Sequence, residues 1–295
     1  MDLNLNTDSV MNVRPDADLL IVMGRRSYLA RATPGSRFHT DLGYIEMSGL
    51  IGKPYGTELK TSTGQSFLVL RPAFRDYTEK LSRTTQLIYP KDAGAILVWA
   101  DIREGKRVLE AGTGSGALTC YLAAAVGESG HVYGFDVRQS SIEKTRENLR
   151  MRGLENRVTL ELCDVTLGAK PNQLDALVLD MPSPWLGVTS LKGNLRPDGH
   201  FLAFVPTMNQ VERTVGALLQ AGYVRVEAFE LIQRFMDAKP NATRPKTAGV
   251  FHTGYIISGR NTLLDRPFLP PPPPRPLASE TVTSQDFFDS LDKPG

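Results

Sequence analysis

The sequence predicts an α/β protein, with a doubly wound, mostly parallel sheet preceded by a small β-rich domain. Three observations carry this. Short β segments punctuated by glycine and proline occupy residues 19–71. From Arg107 onward, apolar runs of strand length alternate with helical patterns. The first strand of that alternation runs into Val108-Leu109-Glu110-Ala111-Gly112-Thr113-Gly114-Ser115-Gly116-Ala117-Leu118-Thr119, a glycine-rich turn followed at once by a small-residue helix. Only glycine lets a backbone turn this tightly and lie flat against a ligand. The helix behind it offers unpaired N–H groups to an electron-rich partner.

In chain order, residues 1–16 are polar and without periodicity, and a flexible N-terminus is expected there. Residues 17–72 form the small β-rich domain. Its strands are expected at Leu19–Met23, Ser27–Ala32, Tyr44–Met47 and Ser66–Arg71, separated by turn residues such as Gly24, Pro34-Gly35 and Gly64. Spacing this close suits a small antiparallel barrel or sheet. A polar link, Pro72–Arg83, leads into Thr85–Ala100. The second domain spans 73–260, with strands expected at Arg107–Leu109, Val132–Phe135, Val158–Leu162, Ala176–Leu179, Phe201–Val205, Val224–Leu231 and Thr253–Ser258. Helices are expected at Ala117–Val126, Ser140–Arg152 and Asn209–Ala221, the second opening on the capping-box spacing Ser140-x-x-Glu143. Residues 261–295 hold the run Pro270–Pro274 and a Ser/Thr/Asp-rich end, which read as a disordered tail.

The composition is that of a globular protein, 41% hydrophobic and 22% charged. Cys120 and Cys163 lie far apart in apolar segments and read as two inert thiols rather than a disulfide scaffold. The start lacks the basic and apolar regions of a secretory signal, and the apolar run near Ala95–Ala100 is too short to span a bilayer. A soluble, cytoplasmic chain without membrane or metal partners is expected. The net charge of +2 permits nucleic-acid binding without arguing for it.

Chemistry enters at the predicted strand ends. Asp136 closes Tyr133-Gly134-Phe135-Asp136, twenty residues after Gly116. A carboxylate there accepts both hydroxyls of a ribose, which serves NAD and S-adenosylmethionine equally. Asp164 closes the third strand, where it can accept from an exocyclic adenine amine. A glycine loop, an Asp and an Asp at consecutive strand ends form the layout of class I S-adenosylmethionine-dependent methyltransferases, a Rossmann-like fold. The spacing Gly112-x-Gly114-x-Gly116 also departs from the G-x-G-x-x-G of nicotinamide enzymes. After the fourth strand, Leu179-Asp180-Met181-Pro182-Ser183-Pro184-Trp185 fixes a carboxylate between prolines and beside an aromatic ring. This suits a flat base held with a ring nitrogen facing a methyl donor.

Together with the glycine loop and Asp180–Trp185, the segments Thr85-Gln86-Leu87-Ile88-Tyr89-Pro90-Lys91-Asp92 and Phe251-His252-Thr253-Gly254-Tyr255 resemble the tRNA (adenine-58-N1)-methyltransferases. The likeness runs from about Arg71 to Ile257. It implies methylation of N1 of adenine 58 in the T-loop of tRNA and, for the bacterial and archaeal type, a homotetramer. It places Gln86, Glu110, Gly112, Gly114, Ser115, Gly116, Ala117, Leu118, Asp136, Ser141, Asp164 and Asp180 around S-adenosyl-L-methionine. Asp136 departs from the glutamate usual at its position, and the proline-rich extension goes beyond the usual ending.

Adenine N1 carries no proton in the neutral base, so no general base is obligatory. Orientation and negative charge near the developing cation are what help. Asp180 fits that role, and Tyr89 and Trp185 are candidate walls for the base. His252 reads either as a contact to base or phosphate or as a structural hydrogen-bonding histidine. Six basic side chains in 225–260 (Arg225, Arg234, Lys239, Arg244, Lys246 and Arg260) are candidate phosphate contacts or an ordinary solvated surface. The rival readings are a methyltransferase of the same fold acting on a protein carboxylate or small molecule, a non-catalytic tRNA-binding subunit, and an NAD-dependent enzyme.

Overall fold

The computed structural model describes residues 11–79 and 88–268. Gln86, the polyproline run and the first ten residues lie outside the described residues.

The N-terminal unit contains β1 (Asp18–Met23), β2 (Arg26–Arg31), β3 (Arg37–Thr40), β4 (Gly43–Glu46), β5 (Glu58–Lys60) and β6 (Ser66–Leu70). Four of these form an antiparallel sheet in the order β2-β1-β6-β5, and β3–β4 is a separate hairpin. Leu19, Ile21, Met23, Phe67 and Val69 alternate onto one face and bury a core with Ile45, Met47 and Leu50. Val13 joins this core at 2% exposure, and its N–H donates to Lys53 O at 2.9 Å. The stretch 11–16, expected to be flexible, is therefore tied down from Val13, because one apolar residue finds a pocket that the polar pattern around it conceals.

The expected polar link contains a helix, α1 (Phe74–Glu79). It joins the two units through side chains. Tyr77 donates to Asp18 Oδ2 at 3.1 Å and lies under the Arg152 guanidinium, while the Phe74 ring meets Tyr121 at 4.9 Å. Next come α2 (Pro90–Trp99), β7 (Arg107–Ala111), α3 (Ala117–Val126), β8 (His131–Asp136), α4 (Gln139–Arg150), β9 (Val158–Leu162), β10 (Leu174–Leu179), α5 (Pro184–Ser190), β11 (Leu195–Val205), α6 (Met208–Gln220), β12 (Val224–Glu230), β13 (Met236–Asp237), β14 (Arg244–Pro245) and β15 (Tyr255–Arg260).

The main sheet has seven strands in the order β12-β15-β11-β10-β7-β8-β9. β7 to β11 run parallel, and β15 is inserted antiparallel between β11 and β12. This is the doubly wound sheet expected from the sequence. Alternation along the strands sorts its two faces. Val108, Val132 and Val178 pack under α2, α3 and α4, and Leu109, Leu177 and Leu179 pack on α5 and α6. The strand order reverses between β7 and β10, and the crevice at such a switch point is where open α/β sheets bind ligands.

The expected capping box does not form. α4 begins one residue earlier, and Gln139 Nε2 donates to Glu143 at 2.9 Å while Asp136 Oδ1 accepts the N–H of Arg138. α5 is not among the helices expected from sequence; Pro184 sits at its start, where the missing N–H is harmless. At the other end, packing continues past residue 260. Asn261 is 5% exposed and donates to Leu195 O and Arg196 O, so the start of the expected tail belongs to the folded unit.

Candidate active site

The switch point is closed by a glycine. Gly112 (φ +89) donates its N–H to Phe135 O at 2.8 Å, and Asp180 donates its own to Ala111 O at 2.8 Å. A Cβ on Gly112 would lie 1.9 Å from the Asp180 carbonyl oxygen, so only glycine lets the ends of β7 and β10 meet. Gly116 (φ +80) then turns the chain into α3, and a Cβ there would meet Thr145 of α4. The loop is pinned from below by Asn148, which donates to Ser115 O at 2.7 Å, and from the side by Asp136, which accepts the Gly114 N–H at 3.0 Å.

A cavity of about 560 Å³ opens at the ends of β7, β8, β9 and β10. Asp136, Asp164 and Asp180 line it together with Gly112, and its apolar walls include Phe135, Val165 and Leu186. A smaller recess beside it is lined by Ile88, Glu110, the loop residues Gly112, Gly114 and Ser115, Ala117, Leu118 and Asp180. The structure thus brings most of the expected cofactor residues to two adjoining hollows. Gly116 and Ser141 line neither: Gly116 shapes the turn, and Ser141 is buried on α4.

Asp136 is 5% exposed and accepts from Gly114, from the Arg138 N–H at 2.9 Å and from the Arg138 guanidinium at 3.5 Å. Among the described residues Oδ1 takes both Arg138 bonds while Oδ2 accepts only from Gly114, so acceptor capacity remains on Oδ2. Asp164 is exposed. Its Oδ1 accepts from both the hydroxyl and the N–H of Thr166, which hold its carboxyl below the usual range.

Glu110 is the unusual group. Strand alternation turns it under α3, at 1% exposure, where the neighbouring Thr119 hydroxyl stops short of hydrogen-bond geometry with either carboxylate oxygen. Burial pushes its pKa up to about 8; the Thr119 hydroxyl opposes this, and the charges of Asp180 and Asp136 add to it. Asp180 keeps some solvent contact at the recess mouth, but the chain packed around it and the charge of Asp136 raise its pKa to about 7. Glu110 and Asp180 share the smaller recess, with Asp136 within electrostatic reach of both, and a cationic ligand there would offset the cost of ionising the buried Glu110. The sulfonium and ammonium of S-adenosylmethionine meet that demand, and the residues present fit this cofactor.

The raised Glu110 pKa has a consequence for stability. Below about pH 4.5 the carboxyl is protonated in both folded and unfolded chains. Between that pH and about 8 the unfolded chain ionises first, so the ligand-free protein loses stability as pH rises through this window. Glu110→Gln is expected to flatten that decline and to raise Tm at pH 8, while weakening cofactor binding. Thermal scans at pH 5 and pH 8, with calorimetric titration of S-adenosylmethionine, check both.

Two expected substrate-side residues are placed differently. Trp185 lies on α5 beneath the Arg213 guanidinium at 5.2 Å and lines neither hollow. Met181, Pro182 and Leu186 of the same segment line the cavity instead. His252 is exposed, but its ring is engaged at both nitrogens, with Glu230 Oε1 at 2.7 Å and Pro206 O at 3.2 Å. Glu230 first, then Pro206, raises its pKa. Both ring nitrogens are thus engaged within the chain, while the ring stays exposed. Tyr89 is 39% exposed at the start of α2, and its carbonyl accepts from Asp92 and Ala93.

Sequence reasoning passed over Arg138, Cys163 and Thr166, all of which line the cavity. Each stands within two residues of a strand-end Asp, and that position was the available signal. Cys163, read as inert, is half-buried there. Among the described residues no group of His, Cys, Asp and Glu is arranged to hold a metal ion, and no helix is long and apolar enough to cross a membrane.

Comparison with known proteins agrees with this geometry. Residues 66–256 match the family model described as the tRNA methyltransferase complex GCD14 subunit. The tRNA (adenine(57)-N(1)/adenine(58)-N(1))-methyltransferase TrmI of Methanocaldococcus jannaschii is 34% identical over 250 residues, covering 76% of this chain and 88% of that protein. Among solved structures, a SAM-dependent O-methyltransferase from Thermotoga maritima superposes with a TM-score of 0.82 at 31% identity, covering 88% of this chain and 97% of that one. The tRNA (m1A58) methyltransferase TrmI from Aquifex aeolicus superposes with a TM-score of 0.75 at 26% identity, covering 85% and 98%.

Proposed function

The chain belongs to the family of the tRNA methyltransferase complex GCD14 subunit, and from that premise we propose that it methylates N1 of adenine 58 in the T-loop of tRNA. The observation that carries the reading is the junction of Gly112 and Asp180 over the buried Glu110 carboxylate. It sets an acidic, cation-seeking pocket at the switch point and an acceptor group at its rim.

When bound, S-adenosyl-L-methionine supplies an electrophilic methyl group. The chain's own part is to hold and orient. Glu110 and the α3 N-terminus face the charged amino-acid end of the cofactor, Asp136 accepts from its ribose, and Asp164 and Val165 border its adenine. Asp180 accepts from the exocyclic amine of the target base, which aims N1 at the methyl group, and its negative charge offsets the positive charge that N1-methylation leaves on the base. No side chain has to remove a proton. Because the target adenine is buried in folded tRNA, local opening of the RNA is part of the reaction.

Unmodified tRNA transcripts with adenine or uridine at position 58 test this. Label from S-adenosylmethionine is expected in the first and absent from the second; equal labelling moves the target elsewhere. A second reading, an acceptor oxygen on a protein or small molecule, has the Thermotoga O-methyltransferase match in its favour. The relatives named for tRNA and the carboxylate at the rim, suited to an amine-bearing base, weigh against it. The same family resemblance supports a cytoplasmic homotetramer, which sedimentation of the purified chain measures.

A further inference from the structure

Between β12 and β15 the chain leaves the sheet as an arm, residues 232–252. Its middle is the short ribbon β13–β14, closed by the Lys246 N–H donating to Phe235 O at 2.9 Å. It carries Arg234, Lys239, Arg244 and Lys246 beside exposed Ile232 and Phe235, a mixture that suits a phosphate backbone with bases at hand. β11 and β12 both end where β15 begins, so the arm rises from the edge of the sheet on which the glycine loop lies.

One ammonium closes the base of this arm. Lys91 Nζ donates to Leu231 O at 2.8 Å, on the outgoing side, and to Thr253 Oγ1 at 2.6 Å, on the returning side. It is paired with Asp92 Oδ1 at 2.7 Å, and the Thr253 hydroxyl donates in turn to Asp92 Oδ2 at 2.8 Å. Asp92 is fully buried and the Lys91 side chain is 11% exposed. A buried ion pair is weak as a source of stability, since desolvation consumes most of its attraction, and fixing geometry is its better-supported use. Here it fixes three chain segments at one point: the first turn of α2, two residues after Tyr89, and both ends of the arm.

We propose that Lys91 is a positioning residue for RNA, the clasp that holds the basic arm at a set angle to α2 so that tRNA is gripped beside the cofactor pocket. The proposal rests on the reading of tRNA as substrate. Lys91 itself contacts neither substrate nor cofactor; it acts through the arm.

Lys91→Met alone strands a buried carboxylate, so the informative variants are Thr253→Val and the charge-neutral pair Lys91→Met/Asp92→Asn. With folding verified by thermal scans, each is expected to raise the KM for tRNA about tenfold, with kcat and the Kd for S-adenosylmethionine within about twofold of wild type. Combining the pair with Arg244→Ala/Lys246→Ala is expected to cost less than the sum of the separate effects, because a misplaced arm no longer uses its charges. Wild-type turnover of tRNA with KM unchanged in both variants, or strictly additive effects, overturns the clasp while leaving the substrate intact. Wild-type protein that neither binds nor methylates tRNA overturns the substrate reading, and the clasp with it.

Discussion

Asp180→Asn is expected to lower kcat for methyl transfer by about 10²–10³-fold, the loss usual when one preorganised electrostatic group is removed from a developing charge. The asparagine keeps the shape and can still accept through its carbonyl oxygen, so the fold and most cofactor affinity survive. What disappears is the negative charge beside the methylated base. The pH profile separates this from a packing defect. With the Asp180 pKa raised to about 7 by burial and by Asp136, the working, ionised form accumulates as pH rises through neutrality. Wild-type kcat/KM therefore climbs through about pH 7 and levels off, and the asparagine variant lacks that rise. A profile of the same shape in both would remove Asp180 from the chemistry.

Gly112→Ala is expected to be the most damaging single methyl in the protein. Its Cβ would sit 1.9 Å from the Asp180 carbonyl oxygen, a backbone atom that moves only if β7 and β10 part. The left-handed φ of +89° adds strain of its own. The expected cost exceeds about 4 kcal/mol, in the range reserved for named structural lesions, and cofactor binding is lost with it. Gly153→Ala is the control: it also has a left-handed φ, +64°, but open space around its Cβ, so only the conformational penalty, about 1–2 kcal/mol, applies. Calorimetric melting of both variants, with cofactor titration, checks the contrast. Equal Tm values would mean that the strand junction is softer than its geometry implies.

Much of this was legible in the sequence because the parallel strands, buried on both faces, read as short near-continuous apolar runs bounded by glycine and aspartate. Val158–Leu162 and Ala117–Val126 have the bounds read from sequence, and the loop, Asp136, Asp164 and Asp180 fall at strand ends as expected. What stayed hidden lacks a local signature. β3 and β5 are short strands whose partners supply their stability, and α1 is a single polar-looking turn held by Phe74 and Tyr77 against distant residues. Ser140 and Glu143 had the spacing of a cap, but Asp136 claims the backbone of Arg138 and sets the helix start. In the site, Glu110 could be named as facing the cofactor, but the lack of a hydrogen-bond partner for its carboxylate among the described residues is a property of the packed strand. The meeting of Lys91 and Asp92 with Thr253, some 160 residues apart, is likewise invisible to any local pattern.

The most direct measurement is to incubate the purified chain with methyl-labelled S-adenosylmethionine and unmodified tRNA, digest the RNA to nucleosides and identify the labelled one. The account predicts N1-methyladenosine as the labelled product, formed by wild type and nearly absent with Asp180→Asn. Cofactor bound at the Gly112–Asp180 junction with the label on another nucleoside, or on no nucleoside at all, would contradict it.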